Sequence, residues 1–368
     1  MILLSEEQAM LRDMAKNWTA DRAPVAALRA IRGGGPGFDP ALYADMAEMG
    51  WPAILVPESA GGVGLDLVSF GLIVEELGRN LVASPLLASA AGAASAFLLG
   101  DEGARRSPWL PKLAAGTSVG ALAVDDGNHH HPGRLAATAR AAGGGFVIDG
   151  RKRAVTEGGA ADLLLVAALL DDGAPALFAC PADAAGVEVA PLHRIDSRGA
   201  ADISFTGVRL PADSLLGSGE SYVDSVLDRV RALLAAEMLG GAAQAFDTTL
   251  DYLKTRVQFD RPIGSFQALQ HRMADLYAEI VLARAAVYRA LGTLDSGGPD
   301  PARQVSMAKA MAGDAFRAMA RQMIQLHGGI GMTEEHDAGL YLKRAHVLDH
   351  QFGNAAFHRG RYARLLGI

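Results

Sequence analysis

The chain has 368 residues, half of them hydrophobic and only 6% aromatic, with a net charge of −7 and one cysteine, Cys180. That length allows several packed layers, while the acidic balance argues against a nucleic-acid partner, which calls for a basic patch. A single cysteine excludes an internal disulfide and a multi-thiolate metal site.

From Leu4 to about Ala115 the spacing is helical. "SEEQAMLRDMAKNWTADRA" opens with a capping-box spacing, Ser5 to Gln8, and "DPALYADMAEMGW" has an Asp-Pro helix start. From about Thr117 to Gly217 the runs become short and turn-bounded, as in "SVGALAV", "ADLLLVAAL" and "ADISFTGVRLP", which reads as a small antiparallel β-domain. From Tyr222 onward long helical runs return, with apolar residues at three- and four-residue steps like those of a four-helix bundle. The expected architecture is mainly α with a central β-domain: an N-terminal helical domain over 1–116, β over 117–217 and a C-terminal four-helix bundle over 218–368. "DLLLVAALLDD" is too short and too closely bounded by Asp to span a bilayer. The first residues lack the basic start and apolar core of a secretory leader, so a cytoplasmic protein without a membrane span is expected.

Two stretches carry chemistry. In "QLHGGIGMTEEHDAGLYLKRA" a glycine pair, Gly328 and Gly329, interrupts a good helix. Such a pair is either a helix stop or a place where a polyanion approaches the main chain. In "YLKTRVQFDRPIGSFQALQHRMADL" one long helix ends, turns through Pro262-Ile263-Gly264 and enters another.

The spacing of Arg256, Phe259, Gly264 and Gln267, with "MIQLHGGIGMTEE" downstream and "MGWPAILVPESAGGVGLDLVSFGLIVEELGR" upstream, resembles the acyl-CoA dehydrogenase family over essentially the whole chain. The resemblance implies an FAD site shared across a subunit interface. In it Arg256 pairs with the pyrophosphate, Phe259 and Gln267 lie near the adenosine half, and a second subunit offers Gln325 and the main chain of Gly328 and Gly329. It places Thr156 at the flavin ring near N5, although the aromatic residue usually two places earlier is Ala154 here, and it places Arg231 near the thioester end of the substrate. The implied partners are an acyl-CoA thioester, a second copy or a paralogous subunit in a dimer or tetramer, and an electron-transfer flavoprotein as acceptor.

The implied reaction is αβ-desaturation, in which a carboxylate removes the α-proton. The two positions where the family carries that glutamate match Phe352 and Val230, and neither is an acid. Glu237 lies two turns from Val230, about 10 Å along a helix, and reads as a structural or interface carboxylate. Asp349 and His350 are the nearest candidates for a displaced base. Three readings stay open: a dehydrogenase with a displaced base, a partner subunit that completes a paralogue's FAD site, and a related flavin oxidase or monooxygenase. The histidine run of "VDDGNHHHPGR" lacks ligand partners at helical spacing and reads as a solvated loop, so no metal is expected.

Overall fold

The computed structural model describes residues 4–32, 35–105 and 107–368. Helix α1 (Glu6–Arg22) starts at the anticipated capping box: Gln8 N–H donates to Ser5 Oγ at 3.1 Å, and Ser5 N–H donates to Gln8 Oε1 at 3.2 Å. After α2 (Val25–Ala30) comes α3 (Pro40–Glu48), whose N-cap Asp39 accepts from Ala41 N–H at 2.9 Å. Next is α4 (Leu67–Arg79), apolar along most of its length and buried. A π-helical segment, Leu87–Ala93, runs into α5 (Ala94–Leu99), followed by α6 (Glu102–Arg105) and α7 (Trp109–Ala114).

Eight strands follow: β1 (Gly120–Ala123), β2 (Thr138–Ala142), β3 (Gly145–Thr156), β4 (Leu163–Leu169), β5 (Pro175–Pro181), β6 (Val187–His193), β7 (Gly199–Pro211) and β8 (Leu215–Ser218). The chain then forms α8 (Glu220–Thr255), a short hairpin of β9 (Val257–Gln258) and β10 (Arg261–Pro262), and α9 (Gln267–Ser296). It closes with α10 (Pro301–His327), α11 (Ala338–His350) and α12 (Ala355–Leu365). The order of helices, sheet and helices is the one the periodicity predicts.

The chain forms two compact units. One comprises Ala30–Asp66 and Ala83–Val230 and contains the eight-stranded sheet, ordered β6-β7-β3-β2-β4-β5-β8, with β1 also paired to β4. The ladders are antiparallel except at β4, where β1 and a single β2 bridge run parallel to it. That position explains the unbroken apolar run "LLLVAAL": β4 has strands along both edges and is buried over its first six residues. The β2–β3 hairpin turns through Gly143 and Gly144, both at positive φ, the conformation a tight hairpin of the right twist requires.

The other unit comprises Met1–Arg29, Leu67–Val82 and Arg231–Ile368. Here α10 packs against α9, α11 and α12, and α4 packs against α1 and α9. The Asp295 carboxylate caps α4 by accepting from Leu67 N–H at 2.8 Å and Val68 N–H at 3.0 Å, which satisfies two otherwise unpaired helix donors. Buried Glu75 is matched by Arg284 at 2.6 Å and by the Tyr288 hydroxyl at 2.7 Å. α4 and α8 meet backbone to backbone: a Cβ on Gly78 would strike the Glu237 carbonyl, and one on Gly240 would strike that of Glu75.

Candidate functional site

The α11–α12 turn holds the position of greatest chemical interest. Phe352 lies there at φ +53, a left-handed conformation that a bulky side chain adopts only when its surroundings impose it. Buried cations supply that constraint. Lys309, fully inside α10, donates to the carbonyls of Leu348 at 2.8 Å, Gly353 at 3.1 Å and Asp349 at 3.3 Å. The Phe352 carbonyl accepts from Arg231 Nε at 3.3 Å and from His358 Nε2 at 3.2 Å. Burial pushes the Lys309 amine down to about 7; Asp349 opposes that fall and Arg231 adds to it. Burial, with Lys309, Arg231 and Arg361 nearby, holds His358 far below the ordinary histidine range, so its ring is neutral.

The nearby base candidates Asp349 and His350 have partners of their own. Asp349 is buried, with Oδ2 on Arg317 at 3.0 Å and Oδ1 accepting from Ala355 N–H at 3.3 Å. Both oxygens of this buried carboxylate are thus engaged by donors of the protein. His350 is exposed and bonds the His346 carbonyl at 2.9 Å. Glu237 is the structural carboxylate expected of it: Arg344 donates to its Oε1 through Nη2 at 2.7 Å and Nε at 3.0 Å, both side chains being buried. Arg231 is fully buried, with its guanidinium 5.8 Å from the Phe357 ring. Lys309 and His358 were not singled out from the sequence. The available signal was one lysine inside the small, apolar run "SMAKAMAG", where a solvated helix face would carry several charges.

At the far end of α8 the two glycine-bearing motifs come together within one chain. The turn predicted at Pro262-Ile263-Gly264 is preceded by a feature the sequence did not reveal: Phe259 and Asp260, both at positive φ, close the β9–β10 hairpin. Arg256, Phe259 and Gln267 are exposed, Phe259 to 85%. Tyr252, one turn before Arg256, stacks on His327 at 4.3 Å between ring centroids, and the His336 ring lies tilted against His327 at 4.2 Å. His327 is buried and neutral, its pKa lowered by burial, and its Nδ1 donates to the Met323 carbonyl at 2.7 Å. Directly after it, Gly328 and Gly329 are exposed, with open space where a Cβ would stand on either, and Gln325 is exposed beside them. An exposed guanidinium, a flat aromatic face and an unobstructed main chain suit a dinucleotide: the fork of donors fits phosphate oxygens and the ring fits a base.

In the sheet unit, Thr156 ends β3 just after a bulge, with a register shift between Lys152 and Val155 and with Ala154 and Glu157 at positive φ before and after it. Its hydroxyl accepts from Arg194 Nη1 at 3.1 Å. The histidine loop is less solvated than expected. His129 and His131 are exposed, but the His130 ring is 3% exposed and lies 2.9 Å from the Asp125 carboxylate. Beside it, buried Lys152 pairs with Asp126 at 2.7 Å and donates to the Val124 carbonyl at 2.9 Å. Two adjacent acids thus fold the loop over the strand that carries Thr156. Among the described residues no group of three His, Cys, Asp or Glu side chains could hold a metal ion, and no helix is long and apolar enough to cross a membrane.

Comparison with known proteins places these features. Residues 5–117 match the family model for the acyl-CoA dehydrogenase N-terminal domain, and residues 217–367 match that for the C-terminal domain. Acyl-CoA dehydrogenase IpdE2 of Mycobacterium tuberculosis is 33% identical over 342 residues, covering 93% of this chain and 91% of its own. Among solved structures, a variant of the Tcur3481–Tcur3483 steroid ACAD is 29% identical with a TM-score of 0.91, covering 98% of each chain. The ChsE4–ChsE5 complex of Mycobacterium tuberculosis is 25% identical with a TM-score of 0.92, covering 99% of this chain and 98% of that one.

Proposed function

The chain belongs to the acyl-CoA dehydrogenase family, and from that membership we propose that it is the subunit of a two-chain acyl-CoA dehydrogenase that helps hold FAD while a paralogous chain supplies the base. The family's cofactor is FAD, which when bound supplies the acceptor for the hydride lost in αβ-desaturation. Arg256 would pair with the pyrophosphate, Phe259 and Gln267 would contact the adenosine half, and Gln325, Gly328 and Gly329 would serve the dinucleotide of the facing subunit. Thr156 would face the flavin ring, and Arg231, which donates to the Phe352 carbonyl, would act toward the thioester end of the substrate through the turn it braces. The substrate class is an acyl-CoA thioester, and electrons would leave to an electron-transfer flavoprotein.

One observation carries the choice of a base-less subunit over a self-sufficient enzyme. The α11–α12 turn has Phe352 where the family resemblance puts a carboxylate, and its neighbours Asp349 and His350 are committed elsewhere. The turn is pinned by three cationic or neutral donors and not by an acid. Similar solved structures include complexes named for two chains, which supports the same reading. The test is to purify the chain alone and with each co-expressed paralogue, then record visible spectra and add acyl-CoA thioesters anaerobically. Flavin bleaching only in the mixed complex is expected. Bleaching by the chain alone would return the base to this subunit.

A further inference from the structure

We propose that Arg194 is a positioning residue for the flavin, one that fixes Thr156 as a hydrogen-bond donor toward the ring; this rests on the reading that Thr156 faces flavin N5. Arg194 lies in the turn between β6 and β7, and its guanidinium is held at two points. Nη1 donates to Thr156 Oγ1 at 3.1 Å, and Nη2 donates to Asp196 Oδ2 at 3.1 Å. The pair is largely sealed from water, with the Arg194 side chain 13% exposed and that of Asp196 1% exposed. Thr156 is equally constrained, because the bulge before it and the left-handed residues on both sides set where its side chain points.

A threonine hydroxyl has one proton to give and two lone pairs, whereas a guanidinium only donates. Arg194 therefore occupies a lone pair of Thr156 and leaves the hydroxyl proton for another acceptor. A charged donor also polarises the hydroxyl it binds, which makes that proton a stronger donor. Oxidised flavin presents N5 as an acceptor, and reduced flavin presents N5–H as a donor. A hydroxyl committed to donating matches the oxidised form and mismatches the reduced one. Asp196 offsets the charge of Arg194, so the direction of the hydrogen bond, and not a net field, is what Arg194 contributes. Its effect is to favour oxidised over reduced flavin.

The experiment equilibrates flavin-loaded protein, alone or with its co-expressed paralogue, against a reference redox dye and reads the oxidised-to-reduced ratio. Arg194→Met is made in the native background and in a Thr156→Val background. Any field from the uncovered Asp196 acts in both, while the route through the hydroxyl exists only with threonine present, so the difference between backgrounds isolates it. Arg194→Met is expected to move the equilibrium toward reduced flavin about tenfold further with Thr156 than with valine, about 30 mV for a two-electron couple. Equal shifts within about twofold in the two backgrounds would overturn the proposal while leaving the cofactor reading intact. Native protein that takes up no flavin in any combination overturns both. Should Arg194→Met not fold, Arg194→Gln carries the same cycle.

Discussion

The glycine corner after α10 and the turn after α11 lie in the same compact unit and are built on opposite principles. At the corner the functional groups stand outside: Arg256, Phe259, Gln325 and two glycines are exposed, and only the Tyr252–His327–His336 stack beneath them is packed. At the turn the bracing groups are inside, with Lys309, Arg231 and His358 all buried and directed at main-chain carbonyls. An open corner leaves its exposed side chains and the bare faces of its glycines accessible to a ligand, even though Gly328 N–H already donates to the Gln325 and Ile324 carbonyls. A buried turn whose donors are spent on the protein itself holds a shape and has little left for chemistry. The contrast separates a region that binds from one that braces, and substitutions in the two should fail in different ways.

The largest effects are expected on the buried side. Arg344→Met would take the guanidinium away from the buried Glu237 carboxylate, and breaking one side of such a pair costs about 3–5 kcal/mol. Urea unfolding of the flavin-free protein should register that loss, and a loss under 1 kcal/mol would mean the pair is not buried in solution. Lys309→Met should cost about 3 kcal/mol, since three carbonyls lose their donor. It also carries a pH signature. The folded amine, pushed down to about 7, binds protons less readily than the unfolded one near 10.5, so stability should rise as pH climbs through that window. Lowered His358 continues the trend on the acid side, where the unfolded histidine takes up a proton that the folded one refuses. In Lys309→Met the rise above neutrality should flatten, and an unchanged slope would assign it to other groups.

On the open side the same size of change should leave folding alone. Arg256→Gln removes an exposed guanidinium, so the unfolding curve should stay within about 0.5 kcal/mol of native. FAD retention should fall roughly tenfold to a hundredfold, the range for losing a hydrogen bond to a charged group. Ultrafiltration of the co-expressed complex against increasing salt measures it, and an unaltered flavin occupancy would remove Arg256 from the site.

The two regions also differed in how much of them the sequence disclosed. The helix starts at Ser5 and Asp39, the strand-rich middle and the glycine corner were legible because each rests on local chemistry: a capping pair, short turn-bounded runs, a residue without a side chain. The family resemblance rested on the same exposed stretches. The brace around Phe352 was not legible, because it joins α8, α10 and α12 across more than a hundred residues of chain, and no local pattern marks a lysine as buried. The absence of an acid at position 352 could be read from the sequence, but what stands in its place could not. The Phe259–Asp260 hairpin was missed for a related reason: tight turns of that type favour Asn-Gly or Asp-Gly, and this one uses a phenylalanine in a left-handed conformation.

The smallest expected change in stability sharpens the contrast most. Gly329 is exposed, its φ lies outside the left-handed range that favours glycine, and a Cβ there would meet nothing within 4 Å. Alanine at this position therefore removes no contact and strains no backbone, and it trims the freedom of the unfolded chain, so Gly329→Ala should leave unfolding unchanged or raise it by a few tenths of a kcal/mol. A fold that tolerates alanine has no need of glycine at this position for its own sake. If the main chain here is approached by the dinucleotide of a facing subunit, the added methyl group intrudes on that approach, and flavin affinity should drop several-fold in a protein whose stability is intact. Flavin binding that is as indifferent to Gly329→Ala as folding is would reduce the corner to a helix stop. Fluorescence titration of the flavin-free complex with FAD separates the two outcomes.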